Sequence, residues 1–317
     1  MPLHPQAKQL IDRAKAAALP PLHTLSVADA RARMASAFIS TGEREEVHQI
    51  EEHTIPTPNG GINARLYRPC SEVGIPAILF FHGGGWILNS IETHDSLCRS
   101  LANLTRAVVV SVDYRLAPES KYPAASDDAW DAAQWLALNA LPLGIDVHRI
   151  AVAGDSSGAT LATVVALRTR ETDNLKLCAQ LLAYPVTDHC EAGATSYATH
   201  ASGYSLGRDT MRWFWSHYVN EAPVLNDPYL CPLQAKSLTE MPPTYLITAE
   251  FDPLHDEGEA YAHRLKEAGV PVQYECLQGH MHGFLMQTRF LDDAKDALTR
   301  AADFLRNLFA AKLKEQR

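Results

Sequence analysis

Three short stretches of this chain carry residue types that can do nucleophilic chemistry. In Gly154-Asp155-Ser156-Ser157-Gly158 a serine stands between two glycines, each two residues away, and a turn with so little side-chain bulk can lift a hydroxyl clear of the backbone. Ser156 is therefore the candidate nucleophile. A serine is weakly nucleophilic at its own pKa and needs a base, which in turn needs an orienting carboxylate. Downstream, residues 249–257 offer Glu250, Asp252, Asp256 and Glu257, and residues 279–284 offer His280 and His282. Asp256 and Glu257 suit the first turn of a helix, where carboxylates are favoured for local reasons. Asp252, at a strand end before Pro253, is the stronger acid candidate and Glu250 the weaker. His280 and His282 are the two candidates for the base, and spacing alone does not say which one reaches the serine. Upstream, His82-Gly83-Gly84-Gly85-Trp86 leaves consecutive backbone N–H groups unshielded and able to point into one cavity, as an oxyanion hole requires. No Gly-Lys-Ser or Gly-Lys-Thr follows, which argues against a phosphate loop. Two histidines without a third ligand of comparable spacing make a poor zinc site, and we expect neither a metal nor a cofactor.

The surrounding elements have to bring these stretches together. Residues 149–153 form a short apolar run with β-branched residues and 159–167 are long enough for a helix, so Ser156 sits where a strand breaks into a helix. Strand-like runs at 46–56 and 62–69 flank Pro58-Asn59-Gly60-Gly61, whose Asn-Gly pair is a hairpin signal, so the sheet opens antiparallel. Strands and helices then alternate: 77–81, a helix from about Thr93, 107–112, a helix from about Ser126, the pair around Ser156, 179–184, 244–248, a helix from about His255, 272–276, and a closing helix after Asp292. The strands are almost wholly apolar, as parallel strands covered on both faces are. The expected fold class is α/β, with a mostly parallel central sheet and helices on both faces. Two segments stand outside the alternation. Residues 6–19 and 26–40 read as amphipathic helices, the second opened by Ser26 with Asp29 three residues on. Residues 188–225 are helix-like and rich in aromatic side chains, among them Tyr204, Trp213, Phe214, Trp215 and Tyr218. The chain thus divides into N-terminal helices at 1–45, read either as part of a cap over the sheet edge or as an N-terminal packing arm, a catalytic domain in two parts at 46–187 and 226–317, and a cap insertion at 188–225.

Composition narrows the function. A formal net charge of -9 with no basic cluster argues against nucleic acid, whose binding rests on Lys and Arg. The 317 residues, 46% of them hydrophobic, suffice for one large domain with a lid. The six cysteines are scattered without a C-x-x-C pair, so disulfides are not expected. The N-terminus lacks a signal-peptide apolar core and no apolar run approaches membrane-spanning length. A cytoplasmic location and no membrane partner are expected. The last sheet strand offers an edge that could pair in a homodimer.

Taken together, His82-Gly83-Gly84-Gly85-Trp86, Tyr114-Arg115-Leu116-Ala117-Pro118-Glu119, the Ser156 motif, Asp252-Pro253-Leu254 and His282-Gly283-Phe284 resemble the bacterial hormone-sensitive-lipase family of carboxylesterases, over roughly residues 45–317. The resemblance implies an α/β-hydrolase fold with a helical cap and a small-molecule ester substrate. It implies nucleophile Ser156, acid Asp252 and base His282, because the family's histidine is the one followed by Gly-Phe, and oxyanion N–H groups from Gly84, Gly85 and Ser157. The family has Ala-Gly-Gly after the nucleophile where this chain has Ser157-Gly158-Ala159. The added hydroxyl of Ser157 lies where an oxyanion donor is needed. The Tyr114–Glu119 stretch reads as an ion-paired turn beneath the site, and Asp155 as a brace of the elbow. Trp86, Tyr184, Trp213, Phe214, Trp215 and Phe284 are candidates for an acyl pocket. The expected reaction is hydrolysis of short- to medium-chain acyl esters through an acyl-enzyme. The alternatives are a ligand-binding module without turnover, against which the presence of His282 speaks, and an amidase or lactonase using the same triad.

Overall fold

The computed structural model describes residues 2–38, 44–172, 175–220 and 226–315. Residues 39 and 40 of the second expected helix and 221–225 of the expected insertion lie outside the described residues. The strands are β1 (Gln49–Thr57), β2 (Gly60–Arg68), β3 (Ile75–Phe81), β4 (Val108–Asp113), β5 (Ile145–Asp155), β6 (Ala179–Ala183), β7 (Thr244–Phe251) and β8 (Val272–Met281). The α-helices are α1 (Pro5–Ala16), α2 (Val27–Phe38), α3 (Ile91–Thr105), α4 (Ala124–Asn139), α5 (Ser157–Thr169), α6 (Ser196–Thr199), α7 (Arg208–Tyr218), α8 (His255–Glu267) and α9 (Asp292–Glu315). Every strand expected from the sequence is present, several of them longer than the apolar run that signals them. The difference matters at β8, which continues through His280 because its ladder to β7 reaches Met281 opposite Phe251 after an irregularity beyond Ala249.

Among the described residues the strands form one eight-stranded sheet in the order β1-β2-β4-β3-β5-β6-β7-β8. β1, β2 and β4 pair antiparallel, and β4 to β8 run parallel. Alternation along the central strands feeds two cores. Leu79, Phe81, Val110 and Val152 face one side of the sheet with α2, α4, α5 and α7. Ile78, Phe80, Val109 and Ala151 face the other with α1, α3 and α9. Each of the Val, Leu, Ile and Phe side chains among them, buried on folding, contributes roughly 1.5–3 kcal/mol. The parallel order brings the C-terminal ends of β3, β5, β7 and β8 to one edge, where the glycine loop, Ser156, Asp252 and His282 follow them, as ligand sites of open α/β sheets do.

The segments expected as cap have different anchors. In α2 Ser26 caps the helix, taking the Asp29 N–H at 3.1 Å, and Arg31 donates to the Ile87 and Ala117 carbonyls and to both oxygens of Glu119. The turn Leu22–Thr24 before it touches α7 through His23 and Thr210. In α7, Met211, Phe214, Trp215 and Tyr218 are buried, at the i, i+3, i+4, i+7 spacing of one helical face. By contrast α1 lies against β8 and α9: the His4 N–H donates to Gly279 O at 2.8 Å and Gln6 bonds Asp292. Helix α2 thus takes the expected cap position on one face of the sheet, while α1 packs on the other face as an N-terminal arm.

Candidate active site

Ser156 follows the last residue of β5 and precedes the first of α5, with φ 54° and ψ −124°. That left-handed backbone is strained for a residue with a Cβ, and the glycines on either side make it possible. A Cβ on Gly158 would meet Phe81 O at 2.0 Å, and one on Gly154 would meet the Gly158 carbonyl at 2.4 Å. Helix α5 therefore starts in contact with the end of β3, and only glycine fits. The Ser156 N–H donates to Ala183 O at 2.8 Å, fixing the turn from the other side.

The hydroxyl of Ser156 lies 3.0 Å from His282 Nε2, and His282 Nδ1 lies 2.6 Å from Asp252 Oδ2. The other Asp252 oxygen accepts the Leu254 N–H at 2.9 Å, and the carboxylate is fully buried. With Nδ1 donating to the carboxylate, the Nε2 lone pair faces the serine O–H, the tautomer that a general base needs. The Ser205 hydroxyl donates to His282 O at 2.7 Å, and the Tyr184 ring packs 4.6 Å from the imidazole.

The other candidates are engaged elsewhere. Glu250 accepts the Gly279 N–H at 2.7 Å, tying β7 to β8. Asp256 accepts the Ser196 N–H. Glu257 is buried at the foot of α8, taking the Thr187 N–H at 2.8 Å, and burial pushes its acid well up. His280, inside β8, turns away from Ser156 toward α9 and the N-terminus, donating to Asp293 at 2.8 Å and stacking on His4 at 5.0 Å, whereas His282 lies beyond the strand end. Burial pulls the His280 pKa down against the pull of Asp293.

The third ligand that the sequence lacks beside His280 arrives through the fold. Ligand atoms of His4, His280 and Asp293 lie within 4.8 Å of one another. The group is already occupied with itself: His280 and Asp293 bond each other, and His4 Nδ1 accepts the Gln6 N–H at the start of α1. It pins the N-terminus to the base of the β8 exit. These contacts leave no sequence signal, since His4 is isolated and Asp293 reads as a first-turn carboxylate.

The glycine loop is held to both neighbours of Ser156. The Gly83 N–H donates to Asp155 Oδ1 at 2.8 Å and the Trp86 N–H to Ser157 Oγ at 3.2 Å. Between these ties Gly84 and Gly85 have φ of 124° and 61°, which glycine adopts freely. The Gly84 and Gly85 N–H groups have no protein acceptor among the described residues. The Ser157 N–H opens α5, where no preceding turn can take it. Asp155 also lies 3.0 Å from His94 Nε2. Burial alone raises the Asp155 pKa, but the nearby His94 and the Gly83 N–H hydrogen bond bring it below the usual carboxylate value. His82, buried between Tyr114 and His94, is pushed down to about 3 by burial and then by His94. The expected ion-paired turn is present as Arg115 on Asp128 and Glu119 on Arg31.

The aromatic candidates separate by burial. Trp86 is fully buried, stacked on Tyr218 at 4.1 Å with Trp215 at its edge. Tyr184 and Phe284 are fully buried against each other. Phe214 lies over Gly85, where a Cβ would come within 2.3 Å of its ring. Trp213 is half-buried on the flank of α7 beside Phe214 and His217.

Fold and site together define a serine hydrolase architecture, and comparison with known proteins agrees. Residues 78–286 match a family model described as alpha/beta hydrolase fold. An ethyl acetate hydrolase of Pseudomonas putida is 36% identical over 306 residues, covering 94% of this chain and 95% of its own. An alpha/beta hydrolase from the metagenome of Lake Arreo superposes with a TM-score of 0.94 at 39% identity, covering 97% of this chain and 99% of that one. A hyperthermophilic esterase from Pyrobaculum calidifontis does so with a TM-score of 0.92 at 41% identity, over 97% and 99%. The chain belongs to the alpha/beta hydrolase family, in its hormone-sensitive-lipase-like branch.

Proposed function

We propose that this chain is a serine carboxylesterase in which Ser156, His282 and Asp252 form the catalytic triad. The observation that carries the reading is the continuous relay from Ser156 Oγ to His282 at 3.0 Å and on to a buried Asp252 at 2.6 Å. Ser156 Oγ attacks the ester carbonyl while His282 Nε2 takes its proton. The carbonyl oxygen, now negative, is received by the N–H groups of Gly84, Gly85 and Ser157. His282 then gives the proton to the leaving alcohol, and a water molecule, deprotonated by the same imidazole, releases the acid and restores Ser156. Asp252 holds the tautomer and offsets the imidazolium charge.

The ethyl acetate hydrolase among the relatives supports small acyl esters as the substrate class. In this reading α2, α7 and the residues before α7 form the lid, with Phe214 over the glycine loop as the pocket wall. Trp86, Tyr184 and Phe284, being fully buried, shape that wall from behind. We place the protein in the cytoplasm, a reading that six free cysteines support. Purified wild type should hydrolyse p-nitrophenyl acetate and bind an organophosphonate covalently at Ser156. Ser156→Ala should do neither, and turnover by that variant at the wild-type rate would sink the proposal. Matched ester and anilide substrates separate esterase from amidase, with ester turnover expected to dominate.

A further inference from the structure

We propose that the Ser157 hydroxyl is a positioning residue for the oxyanion hole, setting the glycine loop through the Trp86 N–H. The inference rests on the esterase reading above and concerns the side chain of Ser157, not its backbone N–H.

The argument follows the peptide planes of the loop. The plane carrying the Gly84 N–H is fixed through its carbonyl partner, Gly83 O, which takes the Asn89 side-chain amide at 3.1 Å. The plane carrying the Gly85 N–H is fixed through Gly84 O, which accepts from Leu88 at 2.9 Å and Ile87 at 3.2 Å. The next plane, Gly85 to Trp86, is held by its N–H on Ser157 Oγ at 3.2 Å, with Ser157 fully buried. Trp86 itself has φ 61°, a left-handed conformation unusual for a large residue, so it needs an external restraint of this kind. Its carbonyl is anchored separately on the Ala117 N–H at 2.9 Å.

The hydroxyl does not act alone. Tyr114 donates its phenol O–H to His82 O at 2.7 Å, on the near side of the glycine loop. Burial pushes the Tyr114 phenol far up, so it stays a neutral donor. Ser157 thus holds the Trp86 end of the glycine loop and Tyr114 the His82 end, through two separate hydrogen bonds. Alanine at position 157 would leave the buried Trp86 N–H without a partner, while the Gly84 and Gly85 amides would stay present but less well aimed.

Because the donors are disturbed and not removed, the effect should be smaller than the hundredfold or more typical of deleting a whole oxyanion donor. Ser157→Ala should lower kcat for p-nitrophenyl butyrate about five- to tenfold with KM within about twofold, the mark of an interaction expressed in the transition state. Inhibition by a short alkyl trifluoromethyl ketone, which forms a tetrahedral oxyanion on the serine, should weaken by the same factor. Tyr114→Phe should move kcat and ketone affinity together in the same direction, by less. General loosening of the fold would lower thermal stability without linking kcat to ketone affinity. Unchanged kcat and ketone affinity in Ser157→Ala, or a change in KM alone, would overturn the inference while wild-type turnover leaves the esterase reading intact. A wild type that neither turns over esters nor takes up organophosphonate would overturn both.

Discussion

Asp252 shows how much of the site is set by one side chain's surroundings. Its two oxygens divide between the His282 Nδ1 and the Leu254 N–H, so an amide at this position would have to present its NH₂ to a donor. Asp252→Asn should therefore favour the wrong imidazole tautomer and lower kcat on the order of 10³–10⁴-fold with little change in fold, measured by steady-state kinetics beside circular dichroism. His82 makes a different prediction. Its pKa lies at about 3 in the folded chain against about 6.5 when unfolded, so between these values the unfolded chain holds more protons. Stability is then complete above pH 6.5 and falls as pH drops toward 3, by up to about 1.4 kcal/mol per pH unit from this residue. Urea unfolding between pH 6.5 and 4 should show that slope, and His82→Asn should reduce it. Asp155, held below its ordinary value by His94 and the Gly83 N–H against the cost of burial, adds the same sign only at still lower pH. Glycines around a serine, a carboxylate after a strand and a Gly-Phe after a histidine are local signals, so Ser156, Asp252 and His282 were readable as candidates. The Ser157 tie to Trp86 was not, because nothing in the sequence says which way a loop N–H points.

At the level of elements, the junction of α5 with β3 is the tightest contact of the site. Gly158→Ala forces a methyl to within 2.0 Å of the Phe81 carbonyl, and backbone cannot yield as a flexible side chain would. The variant should lose more than about 3 kcal/mol of stability, or shift α5 and with it Ser156. Chemical denaturation and phosphonate labelling together distinguish these outcomes. The Arg31 contacts allow a comparison of magnitudes. Glu119 is largely exposed, and pairs of that kind contribute about 0–1 kcal/mol, so Glu119→Gln should be nearly silent in thermal melts. Arg31→Ala should cost more, about 1–2 kcal/mol, because the Ile87 and Ala117 carbonyls lose their donor as well. Alternation of apolar runs gave the order of strands and helices. It could not give where β8 ends, since Gln278, Gly279 and His280 carry no strand signal and form the irregularity between the pairs Ala249–Leu277 and Phe251–Met281.

For the molecule as a whole, β8 is the outer strand of the sheet, and its partly exposed face leaves an edge that a second copy could extend. Light scattering should return about twice the 34.9 kDa chain mass, and a monomer mass at micromolar concentration would remove the edge from consideration. The two N-terminal helices, similar in length and read from the sequence as one unit, were indistinguishable there because both are simply amphipathic. The bonds of His4 to Gly279 and of Gln6 to Asp292 hold α1 beside the loop that leads to His282, while Arg31 holds α2 over the glycine loop. Two trimmed forms of the enzyme should therefore fail in different ways. Removing the first sixteen residues should leave acyl-chain preference as it was and make activity heat-labile, while removing the first thirty-eight should broaden the range of esters accepted. A protease that nicks ahead of α2 would act as a slow thermal inactivator, and an affinity tag is better carried at the other end of the chain.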